Sequence, residues 1–314
     1  MFDHVFFASS GAEANEGAIK LARKWGQVHK RGAYEIITFV NAFHGRTLAT
    51  MSASGKPGWN TLFAPQVPSF PKADFNDINS VRKLISDKTV AIMLEPIQGE
   101  AGVIPATPAF QQALRALCDE QDLLLIYDEV QTGCGRTGPH FAYEHSGIDP
   151  DIMTLGKGLG GGASLSALLA RRDVSCFEAG DQGGTFCGNP LICAVGVAVM
   201  KILLADGFLD KAQAMAQVFS EKLRDLSRDL GLSEVRGSGW LLALELRSDI
   251  APQVVVQARA QGLLLNAPRP QCLRFMPALN MSLSEIDAGM DILRRVLEQF
   301  PGINKEGLAL PSIR

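Results

Sequence analysis

Short apolar runs that end abruptly on polar or glycine residues set the pattern of this chain. Leu123-Leu124-Leu125-Ile126-Tyr127 stops at Asp128-Glu129, and Ile152-Met153-Thr154-Leu155 stops at Gly156-Lys157-Gly158. Val90-Ala91-Ile92-Met93-Leu94 ends at Glu95 in the same way, and Glu35 to Val40 and Ser166 to Ala170 are further runs. Runs this short, aliphatic and without alternation predict strands covered on both faces, as in a parallel sheet. His4-Val5-Phe6-Phe7 reads as a buried strand on the same grounds. Between the runs the period becomes helical. Ala18, Leu21, Ala22 and Trp25 share one face of a helix predicted over Ala12 to Gln27, and Thr107 to Gln121 is likewise amphipathic. Val81 to Ile85 suggests a shorter helix, whereas Gly55 to Phe75 is rich in Pro and Gly and predicts a loop.

Near Gly207 the organisation changes. Two helices, Pro190 to Ala205 and Leu209 to Leu230, flank this point, followed by a strand from Trp240 to Leu246. A helix (Ala251 to Gln261), two short strands and a last helix (Ser284 to Gln299) complete a smaller α+β unit. The expected organisation is a large α/β domain over 1–207, with a mostly parallel sheet flanked by helices. A small C-terminal domain over 208–300 and a patternless tail over 301–314 follow.

Composition narrows the classes. The chain has 314 residues, 46% hydrophobic and 20% charged, which is ordinary for a soluble globular protein. A net charge of −3 without a basic block excludes nucleic acid as the expected partner. No apolar run approaches the length of a membrane span, and Met1-Phe2-Asp3 does not begin a signal peptide. Six cysteines (118, 134, 176, 187, 193, 272) show no CxxC pair, so they read as reduced thiols of a cytoplasmic protein. His140 and His145 have no partnering carboxylate pattern, so no metal site is expected.

Candidate chemistry lies where two strands end. Ligands of parallel sheets sit beyond the carboxyl ends of the strands, where Asp128 and Lys157 both fall. A lysine amine condenses with an aldehyde, and pyridoxal phosphate (PLP) needs an anion beside its ring nitrogen, so this pairing suits that cofactor. The plain alternative is a strand cap at Asp128 and a solvated loop residue at Lys157. The glycines crowded around the lysine favour close approach of the backbone to something. Gly160-Gly161-Gly162 is not a Walker loop, because the lysine precedes the glycines. Ser9-Ser10-Gly11 before a helix is an N-cap signal or a phosphate cradle. Glu95 reads as a structural hydrogen-bonding or ion-paired residue, His44 as a packing or hydrogen-bonding one, and Arg274 as an edge charge in an apolar strand.

Asp128-Glu129-Val130-Gln131-Thr132-Gly133 and Gly156-Lys157-Gly158-Leu159-Gly160-Gly161-Gly162 resemble the cofactor motifs of class III (ornithine-type) aminotransferases. Ser10 to Glu16, Phe43-His44-Gly45-Arg46-Thr47, Gln98-Gly99-Glu100, Thr185 and Arg274-Phe275-Met276-Pro277 agree in order, so the resemblance spans residues 2–300. It implies the fold type I of PLP-dependent transferases and assigns roles. Lys157 holds PLP and shuttles the proton, Asp128 keeps the ring nitrogen protonated, and Gln131 bonds the phenolic oxygen. Gly11 and Ala12 are the backbone donors to the phosphate, and Phe43 stacks on the ring. Thr185 reaches the phosphate in the neighbouring subunit, which implies a homodimer with shared sites. Arg46 and Arg274 bind substrate carboxylates, and Glu100 lies by the substrate pocket, where it can pair with an arginine. The implied reaction moves an amino group from N-acetylornithine to 2-oxoglutarate. Succinylornithine, ornithine and 4-aminobutyrate are alternative donors, and an inactive dimerising remnant is the non-enzymatic alternative.

The chain departs from the family's pattern at three places. Cys187 stands at a commonly Gly position, and Gly161-Gly162-Ala163-Ser164 lacks the usual Pro-Ile-Gly continuation. Family members also carry a long segment before the first strand. This chain is expected to lack it, and to expose apolar surface at the large domain and dimer seam as a result.

Overall fold

The protein is described from a computed structural model over residues 1–300, and the expected tail at 301–314 lies outside the described residues. The chain forms two compact units. One comprises Met1–Glu100 and Ile104–Leu209, the other Ala101–Val103 and the chain from Asp210 onward.

The first unit contains β1 (His4–Ala8), α1 (Gly11–His29), β2 (Glu35–Phe39), α2 (Leu48–Ala53), β3 (Lys72–Ala73), α3 (Ile78–Arg82) and β4 (Thr89–Leu94). After the small hairpin β5 (Ile97–Gln98) and β6 (Ile104–Pro105) come α4 (Pro108–Gln121), β7 (Leu124–Asp128), β8 (Ile152–Leu155), β9 (Ser166–Ala170) and α5 (Pro190–Leu203). Seven strands make one sheet in the order β1-β9-β8-β7-β4-β2-β3. From β8 to β3 the neighbours are parallel, while β9 and then β1 add on antiparallel.

The sheet is covered on both faces, which explains the unalternating runs. Ile36, Met93 and Ile126 pack with Ala18, Leu21 and Ala22 of α1. Their neighbours Ile37, Ile92, Leu125 and Tyr127 pack with Phe110, Leu114 and Leu117 of α4. Each strand therefore sends alternate side chains to opposite helices, and the central strands are apolar at most positions, with Thr89, Asp128 and Thr154 the polar exceptions in β4, β7 and β8.

The expectation of a buried first strand is corrected. Among the described residues β1 pairs with β9 alone and is an edge strand, with Val5 50% and Phe7 38% exposed. An apolar run does not report whether a strand has one neighbour or two. The Pro- and Gly-rich stretch also holds β3, whose two residues extend the sheet beside β2 and are too few to show a period.

The second unit carries α6 (Phe208–Asp229), β10 (Val235–Ser238), β11 (Leu241–Glu245), α7 (Ala251–Ala260), β12 (Asn266–Arg269), β13 (Cys272–Phe275) and α8 (Leu283–Leu297). Its strands form an antiparallel sheet in the order β10-β11-β13-β12. Phe219, Leu223, Trp240, Leu242, Leu273 and Leu293 anchor its core. Arg274 is not an edge charge. It lies on the inner strand β13 and is only 6% exposed.

Candidate active site

Asp128 is the last residue of β7, and Lys157 follows the end of its parallel neighbour β8. Because parallel strands run in register, both side chains leave the sheet at its carboxyl edge. Lys157 adopts φ +40° at the start of a single 3₁₀ turn. Left-handed backbone at a residue with a Cβ costs about 1–3 kcal/mol and recurs where a side chain is aimed at a site.

Seven of the sequence-derived site residues meet at one cavity of about 270 Å³, namely Gly11, Ala12, Phe43, Arg46, Asp128, Gln131 and Lys157. Asn15, His44, Glu95 and Val130 line it too. Thr185 lies on an exposed loop, and Arg274 belongs to the second unit. Glu100 is half-buried, with its Oε2 3.0 Å from Lys56 Nζ. That ammonium also stands over the rings of Phe43 at 5.1 Å and Trp59 at 5.5 Å.

Asp128 is buried and held by three donors. Asn15 Nδ2 and His44 Nδ1 both reach Oδ2 at 2.8 Å, and the Val130 N–H reaches Oδ1 at 3.1 Å. Three donors on one carboxylate fix its orientation. Asn15 is itself fully engaged. Its Nδ2 also donates to the His44 carbonyl at 2.7 Å, and its Oδ1 accepts from Thr154 Oγ1 at 2.7 Å. One buried amide thus joins α1, β7, β8 and the loop before α2. His44 is 1% exposed, and its Nε2 has no hydrogen-bond partner among the described residues.

The start of α1 forms one wall. Ser10 and Glu13 make a capping box, in which Glu13 Oε2 accepts from the Ser9 and Ser10 N–H groups and Ser10 Oγ accepts from Glu13 N. The next two N–H groups, of Gly11 and Ala12, have no acceptor among the described residues. A Cβ at Gly11 would lie 2.6 Å from Val130 Cγ1, so only glycine brings this helix end so close to the strand-end loop. Gly99 makes room in the same way for Gln131, whose Oε1 would be 1.6 Å from an added Cβ.

Glu129, adjacent to Asp128, points elsewhere. Its carboxylate accepts from Thr132 Oγ1 at 3.0 Å and from the N–H groups of Ala142 and Tyr143 at 2.7 and 2.9 Å, stapling the loop between them. Burial pushes this carboxyl up to about 7, against the pull of those donors. Glu95 is pushed up to about 8 by burial and by Asp128, while the Phe43 N–H on its Oε2 and the charge of Lys157 pull the other way.

Asn15 and the Asp128-facing role of His44 were not legible as site features. The available signal for Asn15 was one amide within the buried face formed by Ala14, Ala18, Ile19 and Ala22.

A mostly parallel sheet with an acid and a lysine at adjoining strand ends, beside a helix start with free N–H groups, defines a PLP-type pocket. The chain belongs to the class-III aminotransferases, whose family profile matches residues 1–297. It is therefore an aminotransferase, and its cofactor is PLP. It is 62% identical over 304 residues to an acetylornithine aminotransferase of Ralstonia nicotianae, covering 95% of this chain and 76% of that protein. It is 46% identical to an acetylornithine aminotransferase of Caldanaerobacter subterraneus subsp. tengcongensis, covering 94% of this chain and 76% of that protein. Among solved structures, the ornithine aminotransferase of Toxoplasma gondii ME49 superposes with a TM-score of 0.89 at 34% identity, covering 95% of this chain and 73% of that one.

The cavity fits the cofactor by its donor set. Two unclaimed N–H groups at the start of a 19-residue helix suit a phosphate, and a buried, oriented carboxylate suits a pyridinium nitrogen. A lysine beyond a strand end suits an aldehyde.

Proposed function

We propose that this chain transfers the amino group of N-acetylornithine to 2-oxoglutarate, giving N-acetylglutamate 5-semialdehyde and glutamate, a step of arginine biosynthesis in the cytoplasm. The observation that carries this reading is the gathering of Lys157, Asp128, Gln131, Phe43, Gly11 and Ala12 around one cavity. The choice of donor is supported by relatives that share 45–62% identity and bear the name acetylornithine aminotransferase.

PLP supplies an electron sink for the bond to the transferring proton. Lys157 Nζ would hold the cofactor and, when displaced by the substrate amine, would serve as the acid and base that moves the proton. Such positioned proton transfer contributes about 10²–10⁴-fold in rate. Asp128 keeps the ring nitrogen charged, with Asn15 and His44 fixing its carboxylate. Gln131 bonds the phenolic oxygen, Phe43 covers the ring, and the Gly11 and Ala12 N–H groups hold the phosphate. Arg46 and Arg274 take substrate carboxylates, since guanidinium matches carboxylate with two parallel hydrogen bonds. Glu100 tunes that grip.

A homodimer completes the site, with Thr185 serving the phosphate of the partner copy. In support, Thr185 is exposed, and α5 with its preceding loop carries exposed apolar side chains: Phe186 and Leu191 are 73% exposed, Ile202 56% and Val197 55%. Exposed apolar area of this kind marks an interaction surface.

The test is a panel of donors (N-acetylornithine, succinylornithine, ornithine and 4-aminobutyrate) assayed with 2-oxoglutarate on the PLP-loaded protein. N-acetylornithine is expected to give the highest kcat/KM. A higher value for another donor overturns the donor, and absence of turnover with every donor overturns the catalytic reading.

A further inference from the structure

Glu95 lines the cofactor cavity, yet none of the roles set out above uses it. It follows the last residue of β4, is 6% exposed, and shares the cavity with Asp128 and Lys157. Its Oε2 accepts the Phe43 N–H at 2.9 Å.

The loop that carries Phe43 is otherwise pinned on either side of that residue. Asn41 N donates to the Gly55 carbonyl at 2.9 Å, Gly55 N donates to the Ala42 carbonyl at 3.0 Å, and His44 N donates to Ser54 Oγ at 2.8 Å. The Phe43 peptide itself is held by Glu95. Its ring meets Trp59 edge-on at 5.7 Å. Lys56 Nζ stands over the same ring at 5.1 Å, so the ring is contacted by Trp59 and Lys56 while its backbone is held by Glu95.

We propose that Glu95 is a positioning residue of the cofactor pocket, whose carboxyl holds the Phe43 N–H and so fixes the ring that covers the cofactor. The proposal deepens the reading of this cavity as the PLP site and rests on it. The clamp needs an acceptor and not a charge. Burial and the facing Asp128 carboxylate push the Glu95 carboxyl up to about 8, with Glu100 adding to that push and Lys157 opposing it. At neutral pH the group is therefore largely protonated, and a neutral carboxyl still presents an oxygen to Phe43. Glutamine supplies the same acceptor, aspartate falls one methylene short, and alanine supplies none.

The experiment compares Glu95→Gln, Glu95→Asp and Glu95→Ala with the unchanged protein. PLP affinity is measured by titration of the apoprotein, and the pitch of the bound ring by the circular dichroism that the protein induces in the cofactor's visible band. Far-ultraviolet circular dichroism controls for folding. Glu95→Gln is expected to keep the induced signal and the PLP Kd at pH 7. Glu95→Ala and Glu95→Asp are expected to lose most of the signal and to bind PLP about tenfold more weakly, the loss of one buried hydrogen bond.

The unchanged protein and Glu95→Gln are expected to keep the same induced signal on either side of pH 8, because the carboxyl offers Phe43 an acceptor in both ionisation states. An unaltered signal and Kd in both Glu95→Ala and Glu95→Asp overturns the clamp, as does a Glu95→Gln protein as impaired as Glu95→Ala. If Glu95→Ala fails to fold, Glu95→Asp against Glu95→Gln decides by the same criteria. Failure of the unchanged protein to bind PLP at Lys157, read by borohydride trapping, overturns the site reading itself and is distinct from all of these.

Discussion

Replacing Asn15 with leucine, a residue of similar bulk, tests how firmly the pocket floor is wired. Three hydrogen bonds disappear, to Asp128 Oδ2, the His44 carbonyl and Thr154 Oγ1. Thr154 is fully buried and keeps no other acceptor for its hydroxyl among the described residues, whereas Asp128 retains His44 and Val130. A buried polar group left without its partner costs about 1–3 kcal/mol, and two are orphaned, the Thr154 hydroxyl and the His44 carbonyl, so the gross loss is about 4 kcal/mol. Burying the leucine side chain returns about 1–2 kcal/mol. A net destabilisation of about 2–3 kcal/mol is expected, a large share of the roughly 5–15 kcal/mol typical of folded domains.

The assay is urea unfolding of the apoprotein followed by far-ultraviolet circular dichroism, with midpoints compared at a common slope. A cycle with Thr154→Val isolates the amide–hydroxyl pair, whose coupling is expected at about 1 kcal/mol. PLP affinity should fall alongside, because Asp128 loses one of the groups that orient it. A single variant within about 0.5 kcal/mol of the parent, the range of unremarkable surface changes, together with zero coupling in the cycle, refutes the wiring.

Other expectations follow from the same geometry. Lys157→Ala should leave the far-ultraviolet spectrum intact but yield no cofactor adduct on borohydride treatment, and an adduct in that variant would remove Lys157 from its role. Arg46→Ala and Arg274→Ala should each weaken 2-oxoglutarate in the half-reaction by about 1.5–3 kcal/mol, the worth of a charged hydrogen bond. An unchanged concentration dependence in both would show that neither grips the substrate.

The apoprotein should also lose stability between pH 5 and 7. Burial raises the folded-state values of Glu95 and Glu129 from 4.5 to about 8 and about 7, so in that window the folded state binds more protons than the unfolded one. This contribution is fully present below about 4.5 and is lost as pH rises through the folded values. Lys72, pushed down to about 7 by burial, acts in the opposite sense only above that pH. Thermal melts across the window check the sign, and a midpoint that rises from pH 5 to 7 contradicts it.

The strands that carry Asp128 and Lys157 were legible because both lie inside the sheet. Burial on both faces writes itself as a largely apolar run, and the polar or glycine residue that ends each run, Asp128 or Gly156, marks the sheet's edge. The edge position of β1 left no such trace, since Phe6 and Phe7 look alike whether one strand or two lies alongside. The contacts from Asn15 and His44 to Asp128 span 113 and 84 residues. Spacing rules act within an element, so a pairing across elements is settled by packing and not by local pattern. Glu95 reads from sequence as a structural hydrogen-bonding or ion-paired residue; its bond to Phe43 matches the first of these, but the partner was beyond reach for the same reason.

The Glu129 staple has a thermodynamic consequence. Thr132, Ala142 and Tyr143 are fastened to one buried carboxylate, so the stretch between them, which begins just past Gln131, is ordered within the folded chain. The conformational entropy lost in ordering that stretch falls on folding rather than on ligand capture. Cofactor association then carries little penalty from loop ordering, and its heat-capacity change reports the surface of the ligand and cavity and not the coupled folding of a wall.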